Sequence, residues 1–171
     1  GIVLAGFALA GCGGSGGEEA ATATDTTTAT DGDTAAREQF LAKGDALCAQ
    51  GQSEAAELAR RAQEIQGRSG TIPDEELLEQ AAVVWDDQIR LVVRFRDELD
   101  ELDAPPGDEE RVEQFIVALE DGLEIAREIQ ASLEDGEEPS RDRVQSYVNV
   151  VNRGNTLARA YGFTVCGKTG G

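Results

Sequence analysis

Apolar and small residues recur along most of this chain at alternating spacings of three and four. The first such stripe is Phe40, Gly44, Leu47, Gly51, Ala55, Leu58, Ala62 and Ile65. This is the period of a helix with one face turned to a core, and it predicts a helix over about 35–67. Leu78, Ala81, Trp85, Gln88, Val92, Phe95, Leu99 and Leu102 predict a second over about 73–102. Thr71 and Pro73 open it, and Ala104-Pro105-Pro106-Gly107 ends it. Asp108 is a candidate N-cap for a third helix. Its stripe, Val112, Phe115, Leu119, Gly122, Ala126, Ile129 and Leu133, runs to Asp135-Gly136. Pro139-Ser140 opens a fourth over about 141–161, with Val144, Val148, Val151, Asn155 and Ala158 ahead of Gly162. No run alternates with period two for long enough to make a sheet. The connections are a few residues each, so sequential helices are expected to be neighbours. The expected fold class is all-α: an antiparallel up-down-up-down four-helix bundle over residues 35–171.

Upstream the pattern changes. Residues 1–11, GIVLAGFALAG, are an uncharged apolar run too short to span a bilayer. They fit the hydrophobic half of a signal peptide whose basic start is lost, since the chain has no Met. Residues 13–34 are rich in Gly, Thr, Ala and Asp, contain nothing able to build a core, and read as a disordered tether. Between these segments, Leu9-Ala10-Gly11-Cys12 resembles the lipobox of bacterial lipoproteins. The resemblance implies cleavage before Cys12, diacylglycerol on its sulfur, and a lipid-anchored position on the extracytoplasmic face of the cell membrane. An ordinary signal peptide followed by a structural cysteine is the alternative. The expected organisation is a signal-peptide remnant at 1–11, a lipidated Cys12 with its tether at 12–34, and the bundle at 35–171.

Three cysteines are an odd number for an exported protein. Lipidation of Cys12 leaves Cys48 and Cys166 to pair in an oxidising compartment, against the alternative of two separate buried thiols. Helix lengths agree with pairing. From Cys48 up to Gln66 is ~28 Å, close to the ~32 Å of the fourth helix, so the tail after Gly162 can return to Cys48. Asp45-Ala46-Leu47-Cys48 and the closing Tyr161-Gly162-Phe163-Thr164-Val165-Cys166-Gly167 also resemble a group of small exported helical domains from high-GC bacteria. That resemblance implies the fold and an exported location, and brings no activity with it. The excess of Arg over Lys, 13 to 2, is in keeping with a GC-rich genome.

Charge and composition then remove whole classes of function. The 171 residues include 34 acidic and 15 basic side chains and no His, for a net charge of -19. Without His there is no Ser-His-Asp triad, no His-ligated metal and no ferritin-like di-iron site. Nucleic acid is not expected as a partner, because it requires a basic face. Asp74-Glu75-Glu76, Asp97-Glu98-Leu99-Asp100-Glu101 and Glu134-Asp135-Gly136-Glu137-Glu138 lack calcium-loop spacing and read as solvated faces and helix starts. No catalytic residue, metal or cofactor is expected, and a carboxylate-dependent enzyme is the lesser alternative. The chain reads as a binding or structural module of the cell envelope, held to the membrane at Cys12, with an envelope protein or a small solute as partner.

One feature stands apart from this background. Gln88 and Asn155 are the polar positions in the second and fourth stripes. Counted from the tops of their helices, Gln88, Asn155, Gly122 and Gly51 fall at one level, ~21–24 Å down. That predicts a small polar cavity, roofed by Trp85 and Val151, able to hold water or a ligand. The competing account is a register-fixing amide pair with close packing at the glycines.

Overall fold

The computed structural model describes residues 31–168 of the chain. It contains four helices: α1 (Asp31–Gly67), α2 (Asp74–Asp100), α3 (Glu109–Glu134) and α4 (Arg141–Tyr161). Among the described residues there is no strand, and a single bridge joins Ser69 to Ile72 in the α1–α2 turn. The expected lipidation site, Cys12, and the signal-peptide remnant at 1–11 lie outside the described residues. Of the tether expected at 12–34, residues 12–30 lie outside the described residues, and 31–34 belong to α1. α1 begins at Asp31, four residues ahead of the start at about 35 expected from the stripe.

The helix ends follow local chemistry. Ser140 caps α4, its hydroxyl accepting from the Arg143 N–H at 3.2 Å. Gly162 ends α4 at φ +117, in the left-handed region where a Cβ is penalised. Asp108 occupies the N-cap position of α3, yet its carboxylate makes no capping bond. It accepts instead from the Tyr161 hydroxyl (3.1 Å) and faces Arg37 Nε (3.5 Å). A charged partner from α1 and a phenol from α4 outcompete the local N–H.

Helices pack in chain order: α1 on α2, α2 on α3, α3 on α4. As an inner member of this row, α2 buries two stripes. Leu77, Val84 and Leu91 meet Leu58, Ala62 and Ile65 of α1. Leu78, Ala81, Trp85 and Ile89 meet Leu123, Ala126, Ile129 and Leu133 of α3. α4 sits at the edge and fully buries only Gly154, Ala158 and Tyr161. A third cluster gathers Phe40, Phe115, Tyr161 and Phe163 around Leu99 and Cys166.

α1 and α4 do not close the bundle against each other. No Cα of one lies within 8 Å of a Cα of the other. They are joined through the tail after Gly162. Cys48 and Cys166 form a disulfide, with Cα atoms 5.2 Å apart. Phe163 packs within ring-stacking distance of Phe40 (5.9 Å), Phe115 (6.0 Å) and Tyr161 (5.4 Å). Gly44 admits that ring; a Cβ there would overlap it.

A cleft between the first and last helices

Separation of α1 from α4 leaves a cavity of about 420 Å³ between them, within the roughly 300–1,000 Å³ typical of small-molecule sites. α1 contributes Gly51, Ala55, Ala56 and Ala59, a run of small residues. Nothing lies within 4 Å of the place a Cβ on Gly51 would occupy, so the wall there is open. Hydrocarbon from α2, α3 and α4, including Ile89, Val92, Leu119, Leu123 and Val151, forms the remaining sides. The disulfide marks one end, since both Cys48 and Cys166 line the cavity.

The tail that forms this end is fastened by a carboxylate. Asp45 accepts from the N–H groups of Thr164 (2.9 Å), Val165 (2.7 Å) and Cys166 (3.1 Å), and from the Thr164 hydroxyl (2.6 Å). Partial burial raises the Asp45 pKa, but these four donors outweigh it and hold the group below its ordinary 3.8. Gln52 adds a bond from Nε2 to the Val165 carbonyl at 2.9 Å. Arg159 reaches the Gly167 carbonyl at 2.7 Å.

Gln88, Asn155, Gly51 and Gly122 all line the one cavity. They do not form a single layer. Arg61 of α1 pairs with Asp87 at 2.6 Å, which places Gln88 beside the Arg61 turn. Gly51 is ten residues away on α1, about 15 Å along the helix. Asn155 lies at the Gly51 end, its carbonyl against Gly167 beside the disulfide. Level-counting from helix tops treated the α1 and α2 ends as flush. The Arg61–Asp87 and Arg94–Glu54 pairs instead fix a register in which they are offset. Val151 lines the cavity; Trp85 does not, and stands behind Tyr147 with ring centroids 5.1 Å apart, edge to face.

Tyr147 and Gln52 are polar lining residues outside the stripes, although Tyr147 continues the spacing of Val144, Val148 and Val151. Burial pushes the Tyr147 hydroxyl up to about 12, and a hydrogen bond from Gln88 opposes that rise only in part. The contact brings one polar atom of the Gln88 amide beside the phenol. The amide's other atom, Oε1, is buried and has no hydrogen-bond partner. Lys168, exposed at the disulfide end, is the one charged side chain among the described lining residues.

No family model, curated protein or solved structure matches this chain. Among the described residues, no three His, Cys, Asp or Glu side chains are grouped to hold a metal ion. No helix among them is long and apolar enough to cross a membrane. With one charged group at its rim, three side-chain amides (Gln52, Gln88 and Asn155) and a phenol among its described lining residues, the cleft offers apolar contact and a few hydrogen bonds.

Proposed function

We propose that this chain is a lipid-anchored binding module of the bacterial cell envelope, and that the α1–α4 cleft holds a small, largely apolar molecule. The observation that carries this reading is the cavity itself. A bundle free to close would bury these walls, at about 25 cal/mol for each Å² of apolar surface. The tail stands between α1 and α4 instead. The arrangement that supports the reading is up-down-up-down. Arg94–Glu54 and Arg61–Asp87 run in opposite order along α1 and α2, as do Arg143–Glu128 and Arg153–Asp121 along α3 and α4. The extracytoplasmic location rests on the lipobox-like Leu9-Ala10-Gly11-Cys12 and on a disulfide that needs an oxidising compartment.

Two measurements test the two halves of this proposal. Protein purified from membranes and extracted with organic solvent should release a stoichiometric small molecule, identified by mass spectrometry. Gly51→Phe, which fills open space, should release none. Clean extracts from both proteins would contradict the binding role. For the anchor, Cys12→Ala should move the protein out of the membrane fraction. Retention of that variant would overturn the lipid attachment while leaving the cleft untouched.

A further inference from the structure

The geometry points to a specific ligand class: an uncharged, chain-like amphiphile that brings a hydrogen-bond donor, a hydroxyl or an amide N–H, to Gln88 Oε1. This inference rests on the reading of the cleft as a binding site. The cavity is long. Its α1 wall extends from Cys48 to Ala59 and its α3 wall from Phe115 to Ala126, about 16 Å in each case. A volume of about 420 Å³ drawn out over that length suits a flexible chain better than a compact ring system.

Polarity narrows the class further. The walls are mainly hydrocarbon, and the lone charge, Lys168, is at the opposite end from Gln88. A carboxylate or phosphate carried to the Gln88 level would face an acceptor oxygen with no cation beside it. The chain's charge of -19 also disfavours anions on approach. A plain alkane would fill the walls but leave Gln88 Oε1 buried and unpaired, as it is now. An amide oxygen only accepts, so the group Oε1 lacks is a donor.

Trp85 makes the inference measurable. It is the sole tryptophan, and its ring packs on Tyr147, which lines the cavity. We would titrate the folded protein with decan-1-ol, with 1-methoxynonane (an acceptor-only ether of similar length) and with decanoate, following Trp85 emission. Decan-1-ol should saturate the signal about tenfold more tightly than either of the others, as expected for pairing one buried acceptor. Gln88→Leu should erase that preference, the alcohol then binding no more tightly than the ether, with a thermal melt confirming the fold. If the ether or decanoate binds as well as the alcohol, or the preference survives in Gln88→Leu, the donor assignment is wrong though the cleft still binds. Decanoate binding that is tightest of the three and lost in Lys168→Ala would place the polar head at the other end and overturn it likewise. No saturable response to any of the three would overturn the cleft reading itself.

Discussion

Gly44 and Gly51 sit seven residues apart on the same face of α1, and their surroundings are opposite. At Gly44 the missing side chain is filled by the Phe163 ring; at Gly51 nothing approaches. The same contrast runs through the whole α1–α4 boundary. At the tail end, four aromatic rings, a disulfide and the Asp45 carboxylate join the two helices. Over the middle they stay apart around the cleft. Closure at one end, made with bulky groups, therefore sets the spacing at the other. A wedge of Phe163 and Cys166 keeps α1 and α4 from collapsing together.

The strongest way to break this contrast is Phe163→Ala. Truncating a ring that packs on three others should cost about 3–5 kcal/mol, read as a lower denaturation midpoint. If the cleft is held open by the wedge, the variant should also lose its response to apolar probes. Replacing Cys48 and Cys166 together by Ser should cost about 2–5 kcal/mol, since the bridge closes a loop with a sequence separation of 118. A non-reducing melt against a reducing one gives the same comparison for the native chain.

Asp45→Asn should cost about 1.5–3 kcal/mol, the range for hydrogen bonds to a charged group. Its sign with pH is defined. Because folding holds the Asp45 carboxyl below 3.8, its stabilisation is present above that value. It is lost as pH falls through the still lower folded value. Wild type should thus lose stability on that acid limb more steeply than the variant. The smallest effects fall on the two glycines. Gly44→Ala should destabilise by about 1–3 kcal/mol through overlap with Phe163. Gly51→Ala should stabilise by about 0.5–1 kcal/mol, as for alanine replacing glycine in an unobstructed helix. Equal effects at both positions, measured by urea unfolding, would show that the two ends of the boundary are alike after all.

Much of this was legible in the chain, and what was not has a common cause. Stripe spacing located all four helices, because each buries a face with period near 3.6. Ser140 and Gly162 marked the ends of α4 by local chemistry alone. The Cys48–Cys166 bridge followed from cysteine parity and helix lengths. Register did not follow, because it is set by pairs such as Arg61–Asp87, whose partners are remote in sequence. The second stripe of α2, Leu77, Val84 and Leu91, was missed because a single-face template cannot describe an inner helix with two neighbours. The apolar character of the cleft was missed for a related reason. Gln88 and Asn155 look like one polar layer until the offset between helices separates them.

The bridge between Cys48 and Cys166 also decides where mechanical force would travel. Tension applied between the start of α1 and the tail passes along Phe40 to Cys48, crosses the bond, and leaves through Gly167. Residues 49–165 hang from that junction as a slack loop, so α2, α3 and α4 carry none of the pull. A protein tugged by its two ends would stretch only the first turns of α1, while the walls of the cleft kept their shape.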